Sequence, residues 1–197
     1  MKKTFILTLF FLISLSNFNL AYSISPDVFI QSTVNRASQV LSENISKEEK
    51  INKLKTIAME TVDIRGVGFY SLGPARKDLD DEQKKTYYIL FKNYFLKSFS
   101  SRLAEYTNPE IEVKNKQVLN TNYTIVNSIL IATSDRPEVK IDWRVYTKNP
   151  DNPLIRDLII EGLSLARTQK EEFTSILNSN DGNINALFKI LEEFSNN

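Results

Sequence analysis

Val139-Lys140-Ile141-Asp142-Trp143-Arg144-Val145-Tyr146 places Val139, Ile141, Trp143 and Val145 on one side and Lys140, Asp142, Arg144 and Tyr146 on the other. Such period-two alternation marks a β-strand with one face in the core. Upstream, residues 123–133 are rich in β-branched side chains and become apolar on both faces, and residues 111–118 form a weaker strand. Downstream, Leu154–Ile160 is a short apolar run. The connections Ser134-Asp135-Arg136-Pro137 and Lys148-Asn149-Pro150-Asp151-Asn152-Pro153 are short and turn-rich. Strands so joined pair with their neighbours as an antiparallel meander.

Helical signals flank this sheet. Ser25-Pro26 is a capping residue followed by Pro at the first helical position, and Ile30, Val34, Ala37 and Leu41 then share a face. Ser46 with Glu49, and Asp80 with Gln83, have the spacing of capping boxes. The first predicts a helix carrying Ile51, Leu54, Ala58 and Val62; the second predicts a long one over residues 80–106. Tyr87, Tyr88, Phe91, Tyr94, Phe95 and Phe99 cover more of that long helix than a narrow stripe, as burial on much of its circumference requires. Two further helices are expected over residues 165–177 and 184–194. The order helices, strands, helices predicts an α+β domain, with about four strands and about six helices.

Residues 62–73 (VDIRGVGFYSLG) stay apolar yet carry Gly66 and Gly68 close together. Each glycine within a helix costs about 0.8–1 kcal/mol relative to alanine. Something therefore passes close to the backbone there, or the helix is bent; the two readings are tight packing against a neighbour and the wall of a pocket.

The amino-terminal end decides the compartment. Lys2 and Lys3 precede an apolar run from Phe5 to Leu15, and a polar stretch leads to the small-residue pattern Ala21-Tyr22-Ser23. This order predicts a secretory signal peptide cleaved after Ser23, since a spanning helix needs about 20 apolar residues. One domain over residues 24–197 is then expected. The leader holds two Lys and no acid, so 25 basic residues fall to 23 against 24 acidic, a net charge of −1. That balance gives no electrostatic reason to expect nucleic acid as a partner.

The chain contains no Cys and no His. Disulfides, Cys/His zinc sites and His-based nucleophilic catalysis are thereby excluded, and no metal or other cofactor is expected. Asp157 and Glu161 lie four apart near a strand end, the raw material of an acid/base pair. No nucleophile or metal cluster accompanies them, and Ser164 is placed to cap the next helix, so a structural turn is expected and not an enzyme.

Asp157-Leu158-Ile159-Ile160-Glu161-Gly162-Leu163-Ser164-Leu165, Leu72-Gly73 followed by Glu82-Gln83, the helix ending Leu103-Ala104-Glu105-Tyr106 and the segment Asp63-Ile64-Arg65 resemble the MlaC-type periplasmic phospholipid-carrier (toluene-tolerance) family. The likeness extends from about residue 28 to residue 194; Arg76, Lys77, Pro153 and Lys170 depart from it. The resemblance implies a curved antiparallel sheet wrapped by helices around an apolar lipid cavity. It also implies a carrier that shuttles phospholipid across the periplasm between an outer-membrane lipoprotein complex and an inner-membrane ABC transporter. A monomer is expected; the alternative is a non-catalytic envelope scaffold of the same fold. Candidate cavity residues are Val67 and Phe69 beside the glycines, and Phe91, Phe95 and Phe99 on the aromatic helix. From the sheet come Ile129, Ile131, Ile141, Trp143 and Val145. Leu158, Ile160 and Leu163 complete the set, with Arg65 and Arg144 as candidates for the headgroup.

Overall fold

In a computed structural model of the protein the described residues are 23–196, so the leader expected at residues 1–23 lies, but for Ser23, outside them. Among the described residues there are six α-helices and five strands: α1 Pro26–Ser42, α2 Lys47–Thr61, α3 Ile64–Ser71, α4 Asp81–Leu103, β1 Ile111–Asn120, β2 Tyr123–Leu130, β3 Val139–Tyr146, β4 Leu154–Ile160, β5 Leu163–Ser164, α5 Leu165–Asn178 and α6 Ile184–Asn196. A 3-10 turn, Gly73–Lys77, follows α3.

The helix starts follow from local chemistry. Both capping boxes are formed: Ser46 exchanges bonds with Glu49, and Asp80 with Gln83, satisfying backbone N–H groups that have no partner within the helix. Ser25 precedes Pro26 at the start of α1 without a side-chain cap; its hydroxyl donates to Asp27 instead. α4 ends at Leu103, three residues before the predicted end, where Tyr106 N–H turns back to the Leu103 carbonyl.

The sheet is an antiparallel meander in the order β1-β2-β3-β4-β5. β2 is shorter than expected. Past Leu130 only Ile131 N–H continues the pairing, to Glu110, before Thr133 and Arg136 close a tight turn. The expected four strands become five because Glu161 and Gly162, both at positive φ, fold the chain back so that Ser164 pairs with Ile159. β4 carries one extra residue against β3: Arg144 faces Asp157 and Val145 faces Ile155, leaving Arg156 unpaired in a bulge.

One face of the sheet carries Val126, Leu130, Ile141, Trp143, Val145 and Ile155 into the main core. Its polar members are satisfied in place, Trp143 Nε1–H donating to Ser128 Oγ at 2.8 Å and Ser128 in turn to the Ile141 carbonyl. α1 lies against β1 and β2, α3 and α5 against β4, and α4 is flanked by α2, α3 and α6. A smaller cluster of Val40, Leu41, Leu54 and Ile57 joins α1 to α2.

Tyr87, Phe91, Val126 and Val145 are each 0–1 % exposed and so touch no water-sized space. Phe95, Phe99 and Leu158, packed against the same core, are only half-buried.

Candidate functional site

α3 is short and carries both glycines, and each is explained by what it meets. A Cβ on Gly68 would lie 2.6 Å from the ring of Phe91, so α3 and α4 approach through the absence of a side chain. Tyr87 fixes the same contact by donating its hydroxyl to the Gly68 carbonyl at 2.8 Å. Burial first, and then the neighbouring Tyr94, pushes the Tyr87 phenol well above its ordinary range, so it stays a donor. A Cβ on Gly66 would meet Asp63 Oδ2 at 2.3 Å and Arg156 Nε at 3.0 Å. Both predicted causes of the glycines therefore apply, a packed neighbour at Gly68 and a pocket wall at Gly66.

That wall belongs to a cleft of about 360 Å³ lined by Gly66, Val67 and Tyr70 of α3, Leu119 and Asn120 at the end of β1, and Tyr123, Arg144, Arg156 and Ala166. Val67, one of its lining residues, is also a member of the main core.

Two ion pairs organise the polar side of the cleft. Asp63 caps α3 through Oδ1 to Gly66 N–H at 2.8 Å, and its Oδ2 accepts from Arg156 Nε and Nη2, each at 2.7 Å. Arg156 also donates to the Tyr123 hydroxyl and stacks over the Tyr146 ring, 3.7 Å from its centroid. Asp157, buried, accepts from Ser164 Oγ at 2.6 Å and from Ala166 N–H at 3.0 Å. It fixes the start of α5 together with the Ser164 cap. Arg144 Nη1 approaches Asp157 Oδ2 only to 3.5 Å.

The predicted site residues fall into three groups. Val67, Phe69, Phe91, Phe95, Phe99, Ile141, Trp143, Val145 and Leu158 gather in the main core. Ile160 pairs with Ile141 on the same sheet face and is half-buried. Ile129 pairs with Lys140, on the face opposite Val126 and Leu130; Ile131 lies beyond β2, and Leu163 is 59 % exposed. The two headgroup candidates separate. Arg65 stacks on Phe69 and Tyr88, whereas Arg144 lines the cleft beside Arg156. Sequence reasoning did not bring Tyr70, Leu119, Asn120 or Tyr123 to this place, because the fold and not local spacing unites them.

The family model described as MlaC protein matches residues 31–193, most of the chain. The chain belongs to the MlaC family. The fold of this MlaC chain is also similar to a solved structure of a phospholipid-binding protein from Ralstonia solanacearum, in complex with a phospholipid. The TM-score is 0.73 at 18% identity, with 87% of this chain and 97% of that one covered. No helix of the MlaC chain is long and apolar enough, among the described residues, to cross a membrane.

Proposed function

We propose that this protein is a periplasmic phospholipid carrier that works by binding and not by catalysis. Family membership carries the reading, supported by the shared fold with a phospholipid-binding protein solved in complex with a phospholipid. In this reading the leader is removed after Ser23, and the mature chain takes phospholipid between an outer-membrane lipoprotein complex and an inner-membrane ABC transporter. The physical need is large. At about 0.8 kcal/mol per methylene, one chain of roughly fifteen methylenes costs about 12 kcal/mol to expose to water. Only a protein interior can carry two such chains across an aqueous compartment.

In this reading loading moves side chains aside from the layer next to the closed centre at Phe91 and Val145. Phe95 and Phe99, stacked at 5.5 Å, and Leu158 and Ile160 on β4 are half-buried and are the side chains this reading has lipid displace. Acyl chains then lie along α4 against the sheet.

The test is direct. Mature protein purified without added lipid is expected to release phospholipid on denaturation, detected by mass spectrometry. Phe95→Glu is expected to abolish that retention while circular dichroism stays unchanged. Protein that is always empty, and stays empty after incubation with phospholipid vesicles, would instead support the scaffold reading.

A further inference from the structure

We propose that the cleft between α3, the end of the β1–β2 hairpin and the start of α5 is a phosphate-binding site, with Arg144 as its principal ligand and Tyr123 and Asn120 as supporting donors. The basis is an imbalance between donors and acceptors. Every carboxylate oxygen beside the cleft is already engaged: Asp63 by Gly66 N–H and Arg156, Asp157 by Ala166 N–H, Ser164 and, distantly, Arg144. The donors are not. A guanidinium offers five N–H groups in a fixed fork, and Arg144 makes one ion-pair contact, at 3.5 Å, among the described residues while 38% of its side chain is exposed. Tyr123 accepts from Arg156 Nη1 through its oxygen, which leaves its own proton to donate. Asn120 accepts from Asn122 N–H through Oδ1, which leaves its amide NH₂ without a partner among the described residues.

A concave site whose acceptors are occupied and whose donors are free selects an oxyanion. The planar Arg fork matches phosphate geometry in particular. Arg156 plays a different part. Its nitrogens are committed to Asp63 and Tyr123 and its plane to Tyr146, so it positions Tyr123 and holds α3 to the sheet. Arg144 lies on the sheet face opposite Trp143 and Val145, while Val67 lines the cleft and belongs to the main core, so an anion seated at Arg144 would be the polar end of a molecule whose apolar part passes Val67 at the edge of that core. On the carrier reading, on which this assignment of the anion rests, it is the phosphodiester of the lipid headgroup.

The experiment compares retention of phosphatidylglycerol with that of diacylglycerol bearing the same chains, by wild-type protein and by Arg144→Gln and Tyr123→Phe. Inorganic phosphate is titrated separately while Tyr123 and the Arg144 side chain are followed by NMR. Wild type is expected to prefer the phospholipid by about tenfold or more, the value of a single charge-assisted hydrogen bond. Arg144→Gln is expected to remove that preference while leaving diacylglycerol retention intact. Tyr123→Phe, which spares the Asp157 contact, is expected to reduce it in part and serves if the first variant fails to fold. A preference unchanged in the variants, or none in wild type, overturns the phosphate site and leaves the carrier reading standing. Wild type that takes neither lipid overturns the carrier reading and the headgroup assignment. A response of the cleft to inorganic phosphate would then assign a free anion, and no response would end the proposal.

Discussion

Gly68 shows how a single absent side chain sets the distance between two helices. Alanine there would press a methyl group to 2.6 Å from Phe91, whose ring is held by Phe95, Phe173 and Tyr87 and has nowhere to go. Gly68→Ala is therefore expected to lower stability by about 1–3 kcal/mol, the usual cost of overpacking, measured by urea unfolding. Asp27 gives a residue-scale effect of pH. Its hydrogen bonds with Lys116 and Ser25 lower its pKa from the usual 3.8 to about 2. A folded pKa below the unfolded one means that the unfolded chain binds the proton more readily. The contribution is thus complete above about pH 4 and is lost as pH falls toward 2. The pair is partly exposed, so the effect is modest. Asp27→Asn is expected to flatten that part of the acid limb when unfolding is compared at pH 5 and pH 2.5; an identical acid limb in the variant would contradict the pairing with Lys116.

Between elements, the β4–α5 junction joins the sheet to the helix beside the cleft, and Asp157 makes the joint. Asparagine at 157 keeps one acceptor but turns an NH₂ toward either the Ala166 N–H or the Ser164 hydroxyl. Asp157→Asn is expected to cost about 2 kcal/mol in chemical denaturation, as for a lost charge-assisted hydrogen bond in a buried place. The same junction separates what the sequence made legible from what it did not. Helix starts were readable because a cap is a local device: Ser46 with Glu49, Asp80 with Gln83, and Ser164 all act within a few residues. β3 was readable because its alternation is unbroken. β4 was not, since Ile155 and Leu158 share a face across an odd spacing that only a bulge at Arg156 permits. That bulge also swings Arg156 toward Asp63, 93 positions away in the chain, and no local spacing announces such a meeting. The face of β2 was ambiguous for a related reason, Ile125 and Ile129 being nearly as apolar as the core-facing Val126 and Leu130.

For the whole molecule, a filled core and a lipid cargo are competing occupants of one space. Tyr87, Phe91, Val126 and Val145 occupy its centre and are closed to water. A cargo that binds the folded chain and not the unfolded one must raise stability by mass action, even though loading first displaces side chains such as Phe95 and Phe99. With free lipid at about 100 times Kd the gain is about 2.7 kcal/mol. In a chain of this size each kcal/mol moves Tm by about 2–4 °C. Protein loaded from vesicles is therefore expected to melt roughly 5–10 °C above the same protein stripped of lipid, by differential scanning calorimetry at matched concentration. The shift should persist with a phospholipid of shorter chains but shrink with each methylene removed, because the burial of methylenes supplies it. Coincident melting curves in samples whose lipid content differs by mass spectrometry would mean that lipid associates with the folded and the unfolded chain alike, and the interior would then be an ordinary core.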